Sequence, residues 1–388
     1  MNIKSLLIGS AAALAAVSGA KAADAIVAAE PEPLEYVRVC DAFGTGFFYI
    51  PGTETCLKFG GYVRFQTDIN RGTGFGVNTN NRTSDWNSFT RAQFEVDTRT
   101  DTELGALRGF IGFRGNADGS SASSSSVFVD QAFIELGGLK VGKFYNWWDD
   151  GLSGEADVLA TNTLFNSIRY TYDAGSFWAG VSVDELQGTN SQFATVTGTA
   201  VVTPAAPGTP FTVNTLSQEV DNNVGVSAGI GAKLGGATFQ LIGGYDVDQE
   251  EGAVRLIATA DLGPGTLGLA GVWASGANAY YAESEWAVAA EYAIKATDRL
   301  TITPGAQYFG NVAARTVTGT VNAGATAFTP TGRAIITNDW SSNDAWQAGL
   351  TVDYKITQGL STKVAVNYYD QDNSSSSWNG FVRLQRSF

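Results

Sequence analysis

From about Lys58 to Phe388, apolar and polar residues alternate with a period of two, as in strands that have one greasy and one wet face. In Lys58 to Asp68, Phe59, Gly61, Val63 and Phe65 share one face while Lys58, Tyr62, Arg64, Gln66 and Asp68 share the other. Between Phe89 and Arg99 the split is Thr90, Ala92, Phe94 and Val96 against Arg91, Gln93, Glu95, Asp97 and Arg99. The stretches Val224 to Leu234, Leu267 to Trp273, Trp286 to Ile294 and Trp346 to Tyr354 repeat the pattern with small or polar residues between the apolar ones. The pattern predicts roughly sixteen strands, joined alternately by tight turns such as Gly235-Gly236 and Gly263-Pro264-Gly265 and by longer polar loops. Turns and loops then lie at opposite ends.

A soluble sandwich alternates too, so the period alone does not choose a class. Many of these segments run about ten residues, the length of a tilted strand that crosses a hydrocarbon layer. Aromatic residues gather at strand ends, as in Tyr145 with Trp147 and Trp148, Tyr280 with Tyr281, Tyr308 with Phe309, and Tyr368 with Tyr369, where interfacial girdles sit. The chain stops at Phe388 straight from a strand. An open sheet edge in lipid leaves unpaired backbone groups, so this many strands must close on themselves. The expected fold is all-β: a transmembrane antiparallel β-barrel.

Composition narrows the chemistry. The 388 residues include no His, which removes His-ligated zinc, the Ser-His-Asp triad and imidazole acid–base chemistry. No enzyme activity, cofactor or metal is expected. A formal charge of −14 argues against a sequence-independent nucleic-acid binder. Residues 1–22 read as a signal peptide, with Lys4 before the apolar run Leu6 to Val17 and the small-x-small motif Ala20-Lys21-Ala22. No later segment supplies the roughly 20 apolar residues of a transmembrane helix. An exported chain enters a compartment that permits disulfides, and Cys40 and Cys56 are its only cysteines, so a bridge between them is expected, with two free thiols as the alternative. Residues 23–57 form a periplasmic segment ahead of a barrel over 58–388.

The blocks Met1-Asn2-Ile3-Lys4-Ser5-Leu6-Leu7, Glu35-Tyr36-Val37-Arg38-Val39-Cys40-Asp41-Ala42-Phe43-Gly44, Phe48-Tyr49-Ile50-Pro51-Gly52-Thr53-Glu54-Thr55-Cys56-Leu57 and Val382-Arg383-Leu384-Gln385-Arg386-Ser387-Phe388 resemble the alphaproteobacterial outer-membrane porin family. The resemblance implies a homotrimer of sixteen-stranded barrels in outer-membrane lipid and lipopolysaccharide, each passing ions and small hydrophilic solutes past a loop folded into its pore. Gly138-Leu139-Lys140-Val141-Gly142-Lys143-Phe144-Tyr145 matches the strand that precedes such a loop. Phe388 matches the terminal residue of such barrels. Arg386 stands where they commonly carry an aromatic or apolar residue, and its long stem can snorkel to headgroups. Some members of the family are joined to peptidoglycan through an Ala followed by an acid. Ala23-Asp24 matches that pair, with a plain extended lead-in as the alternative.

After Tyr145 the period of two is lost until Asn166, and 147–165 is the candidate constriction loop, carrying Asp149, Asp150, Glu155 and Asp157 without a base. The wet faces of the first three strands carry Lys58, Arg64, Arg91, Arg99, Arg108 and Arg114. Acid on a loop opposite base on a wall would create a transverse field that favours polar solutes. The plainer alternative is a solvated acidic loop, with the bases paired locally to Asp68, Glu95 and Asp97. A structural or adhesive barrel is the competing function, and charged lumen faces on consecutive strands are what favour a channel. The Gly72 to Gly76 run has no helix after it and reads as a loop, as do the Ser runs at Ser120 and Ser374. The acidic pairs Asp149-Asp150 and Glu250-Glu251 lack the spacing of a calcium loop.

Overall fold

The computed structural model describes residues 38–71, 85–118, 127–161, 163–186, 194–204, 209–218, 223–322 and 325–388. The expected signal peptide, Ala23, and the Gly-rich and Ser-rich stretches at 72–76 and 120–126 lie outside the described residues.

The strands in chain order are β1 (Phe48–Tyr49), β2 (Cys56–Arg71), β3 (Trp86–Thr102), β4 (Gly105–Asp118), β5 (Val127–Leu136), β6 (Leu139–Tyr145), β7 (Leu164–Asp173), β8 (Phe177–Glu185), β9 (Ala194–Val202) and β10 (Phe211–Gln218). They continue with β11 (Val224–Leu234), β12 (Ala237–Asp246), β13 (Glu251–Leu262), β14 (Gly265–Ala274), β15 (Ser284–Lys295), β16 (Leu300–Val321), β17 (Phe328–Trp340), β18 (Ala345–Thr357), β19 (Leu360–Gln371) and β20 (Ser377–Ser387). Sixteen of them close into one antiparallel barrel, in the order β2 to β8, β11 to β16 and β18 to β20. The last joins the first in a register running from Tyr62↔Ser387 to Arg71↔Trp378. Closure leaves no open edge, as lipid requires. Outside the ring, β9 and β10 form a hairpin in the β8–β11 loop, and β17 pairs with the far end of β16 beyond the barrel.

Alternation sets the two faces. On β11, Val224, Val226, Ala228 and Ile230 point outward and are exposed, while Gly225, Ser227, Gly229 and Gly231 point inward and are buried. Phe59, Val63, Phe65 and Ile69 likewise stand exposed on the outside of β2. Trp273, Trp286, Tyr308, Trp346 and Trp378 are exposed near the loop end, with Trp286 over Tyr308 at 5.5 Å and Tyr368 against Trp378 at 5.0 Å. That row is an interfacial girdle. It corrects part of the sequence reading: Tyr280, Tyr281, Trp148, Phe309 and Tyr369 are fully buried rather than at the interface.

They belong to an apolar core that lies within the lumen, packed with Leu159, Phe165, Leu186 and Ile242. Inward glycines make the room. A Cβ on Gly231 would lie 1.9 Å from the Trp178 Nε1, and one on Gly244 would lie 2.5 Å from the Tyr280 ring. A second small core at the turn end holds the Cys40–Cys56 disulfide with Phe47, Phe43 and Tyr49. The sheet starts at Cys56, two residues before the expected boundary, and β1 adds to it through Phe48↔Leu57 and Tyr49↔Cys56.

Candidate functional site: a loop strapped inside the barrel

The chain leaves β6 at Tyr145 and rejoins the wall at Leu164. In between it turns inward. Asn146 caps a single 3-10 turn, Trp147–Asp149, its side chain accepting from Trp148 N at 3.2 Å, and its backbone N–H donates to Thr163 O at 2.8 Å to close the base of the loop. The Asn146 Nδ2 donates to Asp184 at 2.9 Å and to Ser227 at 2.8 Å. Asp184 is itself buried and also accepts from Ser167, Ser182, Ser227 and Tyr280, at 2.6 to 2.9 Å. A carboxylate taken from water is tolerable when its lone pairs are all used in this way.

Wall strands then hold the loop in succession. On β13, the fully buried Arg255 donates to the carbonyls of Trp147 (2.8 Å), Trp148 (3.1 Å) and Leu159 (2.5 Å). On β15, Glu291 accepts from the backbone N–H groups of Ser153 and Gly154, both at 2.7 Å, and from the Ser153 hydroxyl. Cation meets carbonyls and anion meets amides, so both halves of the loop's exposed backbone dipoles are satisfied. Gln307 on β16 accepts from Val158 N (2.6 Å), Thr351 on β18 from Glu155 N (2.9 Å), and Asn367 on β19 donates to Glu155 O (2.8 Å). The loop therefore lies along the β12–β19 side of the lumen.

The four candidate acids occupy different settings on it. Asp149 is partly buried, and burial raises its carboxyl above the ordinary value; Asp150 beside it adds to this, while Arg255 and Arg114 oppose it. Asp150 is exposed and accepts from Gln240 at 2.7 Å. Glu155 pairs with Lys363 at 3.0 Å. Asp157 accepts from Leu159 N at 3.2 Å, and burial pushes its carboxyl up to about 6, with Glu291 and Glu155 adding to the rise. Glu155 and Asp157 line a cleft of about 340 Å³ shared with Asp68, Asn379 and Phe381, which places open lumen between the loop and the β20–β2 wall.

Of the six candidate bases, three share one level of that wall. Arg64 and Arg91 are cross-strand partners, and Arg114 lies opposite Gln93. Arg383, not among the sequence candidates, joins them opposite Gln66. Each donates its Nε to a neutral amide oxygen of a neighbouring strand: Arg64 to Gln385 (2.8 Å), Arg91 to Asn116 (2.7 Å), Arg114 to Gln93 (3.0 Å) and Arg383 to Gln66 (2.6 Å). An amide partner fixes the guanidinium without cancelling its charge. Only Arg114 of the four has a carboxylate partner among the described residues, Asp130 at 2.8 Å. Nearer the turns, Arg99 and Arg108 both bind Asp97, at 3.1 and 3.0 Å, and Lys58 stands opposite Asp97 with its ammonium 5.7 Å from the Phe47 ring. Arg99 and Arg108 are thus paired locally.

Sequence reasoning missed Arg255, Glu291, Lys363 and Arg383. A signal existed for two. Arg255 is the one charge in the apolar run Ala253 to Ala260, and Arg383 has the inward parity of its strand. No group of His, Cys, Asp and Glu among the described residues could hold a metal ion.

A family model described as Porin subfamily matches residues 24–385. The chain is 47% identical over 383 residues to outer membrane protein IIIA of Rhizobium leguminosarum bv. viciae, covering 98% of this chain and 93% of that one. It is 44% identical over 207 residues to porin Omp2b of Brucella canis, across 49% of this chain and 56% of that protein. Among solved structures, the outer membrane channel DcaP of Acinetobacter baumannii superposes with a TM-score of 0.57 at 13% identity, over 88% of this chain and 99% of that one, a likeness of fold. A closed sixteen-stranded barrel, a loop held in its lumen and a family match over nearly the whole length converge: the chain belongs to the porin family and is an outer-membrane diffusion channel.

Proposed function

We propose that ions and small hydrophilic solutes cross between the acidic edge of the loop and the arginine wall, and that the opposed charges select by polarity as well as size. The observation that carries this reading is the placement of the loop: its bonds run to β12, β13, β15, β16, β18 and β19, while Arg64, Arg91, Arg114 and Arg383 stand on β2, β3, β4 and β20. Charges fixed on two sides of a narrow aqueous path orient water and dipolar solutes, and an apolar molecule would have to displace that water. The family and fold are those of channels rather than enzymes. Replacing Asp149, Asp150 and Asp157 by Asn and Glu155 by Gln removes negative charge and leaves the arginines. In a planar bilayer under a salt gradient, the reversal potential is expected to move toward anion preference. An unchanged potential would remove the loop acids from the conduction path.

The assembly that fits this chain is a homotrimer in outer-membrane lipid and lipopolysaccharide. Support comes from small outward residues, Ala228, Ala258, Ala260 and Ala348, which let barrel walls approach closely. Light scattering in mild detergent reads the mass directly, and a monomer would contradict the trimer. The signal peptide over 1–22 and the attachment of Ala23 to peptidoglycan remain proposals of the sequence pattern. Muramidase treatment that leaves the mobility of the native protein unchanged would dismiss the attachment.

A further inference from the structure

The cleft of about 340 Å³ between the loop and the β20–β2 wall lies on the loop-end side of the arginines. Its wall has lumen-facing parity: Asp68 pairs with Phe381 and Asn70 with Asn379, the next two inward positions beyond Gln66↔Arg383. A solute arriving from the loop end therefore meets the cleft before Arg64, Arg91 or Arg383. The amides of the cleft are engaged with the loop and with one another. Gln347 donates to Ala156 O at 3.1 Å, Asn367 donates to Glu155 O at 2.8 Å and to Asn379 at 3.1 Å, and Asn379 donates to Gln347 at 3.3 Å. What remains is largely unused oxygen. Asp68 accepts from Gln66 at 2.5 Å through one carboxylate oxygen, Glu155 uses one on Lys363 and Asp157 one on Leu159 N, and the second oxygen of each makes no hydrogen bond among the described residues. Asn367 is only 4% exposed, and its Oδ1 also lacks a partner. These oxygens come from β2, β19 and the loop, so they surround the cleft instead of meeting at one point. Cations are already in place: Lys363 beside Glu155, and Arg383, whose guanidinium carbon lies 4.2 Å from the centre of the Phe381 ring.

We propose that this cleft is a binding subsite for a neutral polyhydroxylated solute the size of a monosaccharide, an inference that rests on the conduction path proposed above. Hydroxyl groups spaced around a ring donate to several separated acceptors at once, which a single ammonium does not, and they also accept from the side-chain amide of Asn70. Phe381 and Val158 give the C–H face of such a ring an apolar surface. A concave site with an apolar patch and a few placed polar groups is the usual form of small-molecule recognition. Conduction limits the grip: the subsite has to empty as readily as it fills, so binding belongs in the millimolar range.

The test records single channels of the full chain in a planar bilayer with glucose, with tetraethylene glycol, a chain of similar mass whose only donors are at its ends, and with n-butylammonium. Glucose is expected to lower the current along a saturating curve with excess noise, and tetraethylene glycol only in proportion to its concentration. Asp68→Ala and Asn70→Ala should each raise the half-saturating glucose concentration about five-fold, the loss of one hydrogen bond. A glucose effect as linear as that of tetraethylene glycol would overturn the proposal, as would saturation that both variants leave unchanged. Block by n-butylammonium at lower concentration than glucose, lost in Asp68→Ala, would make the cleft a cation site instead. Path and cleft fail separately. A reversal potential that shifts when the loop acids are removed keeps the path even if glucose acts linearly, and glucose saturation weakened by Asp68→Ala keeps the cleft even if that potential stays put. If neither variant inserts, the three solutes compared on the parent chain still decide.

Discussion

Arg255 and Asp157 show how much single side chains contribute to the seating and the charge of the loop. Replacing Arg255 by Met keeps most of the side-chain volume but strands the carbonyls of Trp147, Trp148 and Leu159, at about 1–3 kcal/mol for each buried acceptor left unsatisfied. The barrel's own ladder does not depend on these bonds. The expected outcome is a channel of larger and noisier conductance with unchanged thermal mobility on gels; quiet parental conductance would show that the other anchors suffice. Asp157 makes the site sensitive to pH. Its folded value of about 6 lies above the ordinary 3.8, so the folded loop binds a proton that the unfolded chain does not, and the stability this gives is lost as pH rises through that window. Charge follows the same window: cation preference should fall between pH 7 and pH 5, and Asp157→Asn should flatten that step. A parental step that survives the substitution would assign it to another group.

At the scale of elements, the strands and their faces were legible because period-two alternation is a local property of sequence. Lumen and lipid faces were assigned correctly on β2, β3 and β11 from parity alone. The loop was legible as a break in that period, and Trp147 and Trp148 as a sign of packing. Its seat was not legible, because Ser153 and Glu291 meet across a separation of 138 residues and Glu155 and Lys363 across 208. The aromatic pairs misled for a related reason: Tyr280 and Tyr281 sit near a strand end but lie in a loop that folds inward over Trp148, at ring distances of 6.2 and 6.5 Å. The Cys40–Cys56 pair, spaced by 16 residues, was recoverable since the chain has no other cysteine. Closing a loop of that size contributes roughly 3 kcal/mol in the chain-entropy model. Reduction should speed amide exchange in Val39 to Leu57 and leave the exchange of β11 to β15 unaltered; uniform loosening of the barrel would give the bridge a wider role.

For the whole molecule, the distribution of apolar surface is inverted relative to a soluble domain. The outside is greasy because its solvent is lipid, and the larger buried apolar cluster lies within the lumen, between the loop and the wall strands. Filling one side of the cylinder pushes the open path off axis, toward β20, β2, β3 and β4. The formal charge of −14 is therefore a poor guide to selectivity. What a permeating ion meets is a few fixed groups within a Debye length of about 8 Å, not the sum over loops and turns.

The arginine wall straddles the seam at which the chain's first and last barrel strands meet. Arg383 donates to Gln66 across 317 residues, and Arg64 donates to Gln385 across 321. No partial barrel can possess the whole of that wall, since Arg383 and the Gln385 that holds Arg64 arrive with the final strand to be made, and contacts of such long sequence range form late. On the proposed role of that wall, ion discrimination is a property that switches on at ring closure. A chain caught with the seam unzipped would conduct as an indifferent hole or not at all, and charge selectivity measured during insertion becomes a clock for the last step of assembly.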